Sequence, residues 1–188
     1  MRKITTLSVI MVGLGLAVTS VPAFAQDSYG TDSGTGSRWD GIYVGAKGGI
    51  NDSSASGVSN KTSYTGGIEA GYQANLNGPV VGADVFGDMN PNEGHAQGVT
   101  YGTHVTGVDL KVGLDNGPIM PYAKLGYADI RGTGDLTGSG SGFHGGLGVE
   151  YIAYNHLGVD GEWTYDRASI SGDTVKNNNF TVGVNYHF

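Results

Sequence analysis

From residue 41 to the carboxy-terminus the chain alternates apolar with polar or small residues at a period of two, in eight separate segments. The pattern is cleanest at the end. Phe180, Val182, Val184, Tyr186 and Phe188 fall on one face of an extended chain, and Thr181, Gly183, Asn185 and His187 on the other. The same reading predicts seven earlier strands, at about 41–50, 64–76, 80–89, 99–114, 119–130, 142–153 and 157–168. About ten residues at ~3.3 Å rise, tilted ~45°, cross an apolar band of ~25 Å. The apolar face of each strand is assigned outward, as with Ile42, Val44 and Ala46 in the first and Val108, Leu110 and Val112 in the fourth.

The connections sort into two kinds. Asn77-Gly78, Asp115-Asn116-Gly117 and Tyr154-Asn155-His156 read as tight turns, two of them with the Asn-Gly signal of a hairpin. The stretches near 51–63, 90–98, 131–141 and 169–178 read as longer loops rich in Gly, Ser, Asn, Asp and Thr. Short turns at one end and long loops at the other, with both termini on the short-turn side, match an outer-membrane layout. Outward aromatics gather at both ends of the strands. Tyr64, Phe143, Trp163, Tyr165 and Phe180 lie toward the loops, and Tyr72, Tyr151, Tyr186 and Phe188 toward the turns, as two interfacial girdles. The predicted fold is all-β: an eight-stranded antiparallel up-and-down transmembrane β-barrel.

The amino-terminus supplies a route to the membrane. Arg2 and Lys3 precede an apolar run over 4–21, and Ala23-Phe24-Ala25 is a small-x-small cleavage site. Residues 1–25 are therefore expected to be a cleaved signal peptide, with the mature chain starting at Gln26. Residues 26–38 carry no apolar period and are expected to form a flexible periplasmic leader, leaving 39–188 as the barrel. Removing 25 of the 188 residues leaves 163; removing Arg2 and Lys3 leaves eight basic side chains against 17 acidic, a formal charge of −9. That balance argues against nucleic acid as a partner. Zero Cys excludes disulfides and a lipoprotein anchor.

The inward face holds the unusual chemistry. Lys47, Lys111 and Lys124 share it with Glu69, Asp84, Asp109, Glu150, Asp160 and Glu162, among many small Gly positions. An eight-stranded barrel is just wide enough for side chains to fill it. Buried charges must pair or stay hydrated. The choice is between an ion path and a solid polar core, and the polar core is favoured. Six acids against three lysines imply that some carboxylates are hydrated near a rim, protonated, or shared with a cation.

Other signals are weak. Gly140-Ser-Gly-Phe-His-Gly145 matches a dinucleotide-binding string, but no helix follows, so it reads as a loop entering the sixth strand. Asp88-Met-Asn-Pro-Asn-Glu-Gly94 supplies three calcium-loop ligands, then has Glu93 where the turn Gly belongs. The five His are scattered without zinc spacing, and no Ser neighbours a His. No cofactor, metal or enzymatic activity is expected.

Tyr43-Val-Gly-Ala-Lys-Gly-Gly49, Gly71-Tyr-Gln73, Val81-Gly-Ala-Asp84, Lys124-Leu-Gly-Tyr127, Gly148-Val-Glu-Tyr151 and Val182-Gly-Val-Asn-Tyr186 together resemble the transmembrane domain of the outer membrane protein A family, in order, from about Trp39 to Phe188. The resemblance implies a barrel with roles in envelope structure, adhesion or surface antigenicity, and in some members a narrow pore. It also implies an interior gate. Asp84 and Lys111 match its acid and nearby lysine, but Asp160 stands where the family's strand-seven arginine belongs, so the gate's charge pair is lost. The family's peptidoglycan-binding domain has no counterpart in the residues after the barrel. The expected function is a non-enzymatic outer-membrane barrel. The alternatives are a narrow porin-like channel, or an adhesin or surface antigen whose loops bind a host or matrix ligand. Expected partners are outer-membrane lipid and the barrel-assembly machinery. Phe180, Val182, Val184, Tyr186 and Phe188 form the assembly signal, and His187, on the opposite face, is expected to be dispensable for yield.

Overall fold

The computed structural model describes residues 37–55, 58–94, 100–134, 138–170 and 173–188. Among them every regular element is a strand: β1 Gly41–Ala55, β2 Val58–Asn75, β3 Pro79–Gly94, β4 Thr100–Leu114, β5 Ile119–Gly134, β6 Ser139–Tyr154, β7 Leu157–Ile170 and β8 Asp173–His187. Each pairs antiparallel with its sequence neighbour, and β8 returns to β1, closing the barrel in the order β1 to β8. Closure leaves no sheet edge, so every strand finds backbone partners on both sides, as lipid demands.

The register fixes the barrel's shape. Tyr43 pairs with Gly71, which leads to Asp84, Asp109, Gly126, His144, Asp166 and Asn177, and from there back to β1 at Ser53. The path returns ten residues beyond its start (53 minus 43). An even shift keeps one face inward all the way round. With eight strands it sets a tilt of roughly 40° and a radius of roughly 8 Å.

The tight turns behave as local chemistry dictates. Asn77 (φ 63°) and Gly78 (φ 125°) carry the chain from β2 to β3 in the left-handed region, and the Leu76 amide donates to the Pro79 carbonyl at 2.7 Å. Asn155 (φ 45°) and Gly117 (φ 69°) do the same for the other two turns. The predicted long loops differ from what is observed. Most of 51–63, 90–98, 131–141 and 169–178 belongs to the ladder; pairs continue to Ala55↔Val58, Glu93↔Tyr101, Arg131↔Ser139 and Ile170↔Asp173. Gly140 is likewise already in β6, not in a loop. The reason is physical: above the lipid the outward face needs no apolar residue, so the hydrophobic period stops while the backbone pairing goes on.

The outward faces are apolar and exposed, with Ile68, Leu110, Leu125 and Val182 all more than half accessible. Register aligns the loop-side girdle, since Tyr64 pairs with Ile50, Ile50 with Phe180 and Phe180 with Trp163. Beyond that row the outward positions on β1, β2 and β8 turn polar, at Asp52, Thr62 and Asn178, while Tyr165 and Phe143 extend the girdle on β7 and β6.

Candidate functional site: the barrel interior

Three features of the inward face fit together from the bottom up. The first is room. Large inward residues lie over Gly at their register partner on the next strand: Tyr43 over Gly71, Phe86 over Gly107, Asp109 over Gly126, Tyr122 over Gly148, Asp160 over Gly183. A methyl group at any of these Gly would overlap the neighbouring side chain; at Gly148 it would stand 2.5 Å from the Tyr122 hydroxyl. The inward Gly are thus the slots into which the long side chains fold.

The second feature is an ionic centre. Lys124 on β5 lies 2.9 Å from Glu69 on β2, 2.9 Å from Glu162 on β7 and 3.8 Å from Asp84 on β3. Lys47 bridges Glu162 and Asp88, each at 3.4 Å. Lys111 reaches Glu150 at 3.4 Å and sits over the rings of Tyr43 and Tyr122, 4.6 and 4.3 Å from their centroids. The Tyr43 hydroxyl donates to Asp84 at 2.9 Å and the Tyr122 hydroxyl to Glu162 at 3.0 Å. Asn185 donates to Glu150 at 2.9 Å and to Asp160 at 3.3 Å. Nearly all of these partners are distant in sequence and come from strands across the barrel.

Lys47, Glu69, Asp84, Asp109, Lys111, Lys124, Glu150, Asp160 and Glu162 therefore all project inward, and the structure adds four titratable groups to them. Asp88 meets Lys47. His144 places Nδ1 2.5 Å from Asp166 and Nε2 3.4 Å from Asp109. His187 places Nε2 2.7 Å from Glu150, stacks on Tyr43 and meets the edge of Trp39. His187 lies on a packed face of β8, and its partner is a fully buried carboxylate. Alternation already placed His144, Asp88, Asp166 and His187 inward; only the pairing across the barrel was invisible.

Asp84 and Lys111, matched to a gate by resemblance, take separate partners: Asp84 takes Tyr43 and Lys124, while Lys111 takes Glu150. Asp160, on β7, is bound by Asn185 and Tyr122 at 3.3 and 3.4 Å. Among the side chains described, no inward acid sits at a hydrated rim. All eight (Glu69, Asp84, Asp88, Asp109, Glu150, Asp160, Glu162 and Asp166) are buried. Asp88 Oδ2 lies 3.4 Å from Lys47, and the Asn90 side-chain amide donates to the Thr103 hydroxyl at 2.7 Å. Among the described residues no group of three or more His, Cys, Asp or Glu is arranged to hold a metal.

The third feature lies above and below the ionic centre. On the turn side Trp39, Val80, Met120, Tyr122 and Ile152 form a buried apolar cluster. Trp39 is fully buried and donates from Nε1 to the Gly117 carbonyl at 3.0 Å. Ser37, expected in the leader, donates from Oγ to Asp115 at 2.8 Å, at the barrel floor. Residues 1–36, including Ala23, Ala25 and Gln26, lie outside the described residues. On the loop side Phe86, Val105, Ala128, Ile130 and Ala168 form a second apolar cluster, and Asn51, Asn179 and Thr164 bond one another across the facing strands. Trp39 was missed because it precedes the first strand, where no period marks a face.

The Outer membrane protein beta-barrel domain family matches residues 11–188. Among solved structures, the chain is similar to Neisserial surface protein A, at 20% identity over 79% of this chain and 98% of that one, with a TM-score of 0.66. It is also similar to Ail, the attachment invasion locus protein of Yersinia pestis, at 12% identity over 78% of this chain and 99% of that one, with a TM-score of 0.55. At these identities the likeness speaks for the fold. No curated protein sequence matches the chain. With a closed eight-stranded barrel, an apolar outer belt and a match along nearly its whole length, the chain belongs to the outer membrane protein β-barrel domain family.

Proposed function

We propose that this chain is a non-enzymatic structural barrel of the bacterial outer membrane, one that closes the membrane where it crosses it. The observation that carries this reading is the layered interior: an apolar floor around Trp39, an ionic centre around Lys124, and an apolar and amide ceiling around Ile130 and Asn179. A permeant ion would have to displace Lys124 from three carboxylates and pass an apolar floor and a ceiling whose amides already bond one another. The narrow-channel alternative lacks such a path. In this reading residues 1–25 direct export and are removed before Gln26, the barrel-assembly machinery recognises the alternating Phe180–Phe188 segment, and outer-membrane lipid covers the belt.

A surface role sits beside the structural one. Strands of 14 to 18 residues outrun the ~10 that lipid requires, so their loop-side ends rise as a polar collar. The collar and its loops are where a host or matrix ligand would bind. Planar-bilayer recording of the refolded chain tests closure: folded protein, identified by heat-modifiable gel migration, gives no conductance steps. Reproducible steps that track the folded fraction would replace this reading with the channel. Amino-terminal sequencing of the outer-membrane form should start at Gln26.

A further inference from the structure

The lipid-facing surface is not uniform. Between the girdle row Tyr64–Ile50–Phe180–Trp163 and the next aliphatic row, Ile68–Ala46–Val184–Val159, runs a row of mostly missing side chains: Gly66, Gly48, Val182, Gly161. A methyl group at Gly161 would meet nothing within 4 Å. The result is a furrow of about 620 Å³ on the outside of β6, β7, β8 and β1, lined by Gly48, Leu147, Gly161, Trp163, Phe180 and Val182.

Six residues up the same two strands from Gly161 and Val182, Arg167 and Lys176 are direct cross-strand partners, both exposed on the outward face. Like charges directly opposite one another destabilise a ladder unless an anion joins them. Neither forms a salt bridge with another described residue. On β6 the outward partner of Arg167 is Phe143, with Ser141 diagonal to it; Asn178 neighbours Lys176 on β8, and the nearest outward acid, Asp52, is diagonal to Lys176 on β1. A paired cation on a chain of net charge −7 is a local reversal of sign. It lies above the girdle, at headgroup depth, and the furrow lies ~20 Å along the strands below it.

We infer that this face is a binding site for a net anionic, phosphate-bearing lipid of the outer leaflet, its phosphate held between Arg167 and Lys176 and one acyl chain laid past Trp163 into the Gly161 furrow. The reading rests on the membrane orientation proposed above, but not on closure of the interior. Arg and Lys supply charge-assisted donors to phosphate oxygens, and the furrow accepts a straight hydrocarbon chain that a fully side-chained belt would repel.

Trp163 makes the site measurable. The chain has two Trp, and the other, Trp39, is buried in the barrel floor. The refolded full chain is placed in phosphatidylcholine vesicles containing a small fraction of bromine-labelled lipid, either phosphatidylglycerol or phosphatidylcholine. The expected result is stronger quenching by the brominated phosphatidylglycerol, at least twofold at equal mole fraction. Arg167→Gln with Lys176→Gln should make the two lipids equal, and Gly161→Leu should lower quenching by the anionic lipid while heat-modifiable migration is retained. Equal quenching of the parent by both lipids would overturn the site. So would a preference unaffected by both variant sets, or one abolished by inorganic phosphate at matched ionic strength, which marks a free-anion site. A preference that disappears as protein is concentrated at constant lipid composition would hand the furrow to a second copy of the chain. Loss of conductance closure, by contrast, leaves this test unchanged.

Discussion

The two faces of this barrel obey different rules, although they alternate residue by residue on the same strands. Outward, Leu110, Leu125 and Val182 meet only lipid, and almost any apolar residue would serve. Inward, the long side chains of the ionic centre have slots and partners: Tyr122 over Gly148 and bonded to Glu162, Glu162 bonded to Lys124, Lys124 to Glu69. The outer face is specified by composition and the inner face by pairing. A barrel of this width stays stable only if its interior charges neutralise one another, because bulk water cannot reach them to do it. Among the side chains described, eight buried acids face three lysines and two histidines, so pairing with these five cannot neutralise every carboxylate.

The comparison is most easily broken at Lys124. Lys124→Met removes the cation shared by Glu69, Glu162 and Asp84, and the expected loss is about 3–5 kcal/mol of unfolding free energy. Urea titration of the folded protein in detergent micelles, followed by tryptophan fluorescence, reads it directly. A loss under about 1 kcal/mol would mean that water or another cation already serves those carboxylates.

The closing strand offers the next contrast. His187→Ala leaves the fully buried Glu150 with one hydrogen-bond donor fewer and opens space against Trp39, for an expected cost of about 1–3 kcal/mol in the same titration. Phe188 deletion acts elsewhere. It removes an outward girdle aromatic 64% exposed, so it should lower outer-membrane yield in cells while the micelle titration barely moves. If both changes alter the same observable by the same amount, the face assignment of β8 is wrong.

Two glycines on neighbouring strands give the sharpest small effect. Gly148→Ala drives a methyl into Tyr122 and should cost about 1–3 kcal/mol. Gly161→Ala, in open space on the lipid side of β7, should change stability by less than about 0.5 kcal/mol, or raise it slightly by lowering chain entropy in the unfolded state. Parity between them would show that the inward Gly are turn-like spacers and not slots.

What was legible in the sequence follows the same division. Period two located all eight strands and both faces, because a lipid-facing surface has to be apolar at every second position, and residues such as Val108, Leu110 and Val112 carry that demand in plain order. It failed where the demand lapses. Thr62, Arg131 and Ser141 lie in strands above the lipid, where backbone pairing continues without an apolar partner, so they read as loop. Inward identity was legible too, but the network was not: Lys124 meets Glu69 55 positions away and Glu162 38 positions away, and no local spacing encodes a contact across a barrel. Trp39 was the costliest omission. It plugs the floor from a segment with no period, and its one advance signal was a lone aromatic between a polar stretch and the first strand.

The account's central claim is that the inward charges form one coupled network that holds the barrel shut. A double-mutant cycle tests it most directly, combining Lys124→Met with Glu162→Gln and measuring all four unfolding free energies in micelles. Residues in one buried network should be strongly non-additive, with the double variant recovering about 1.5–3 kcal/mol of the summed single losses, because each single change strands the other's charge. Additivity within about 0.5 kcal/mol would contradict the claim, leaving Lys124 and Glu162 as separately solvated groups in an interior open to water.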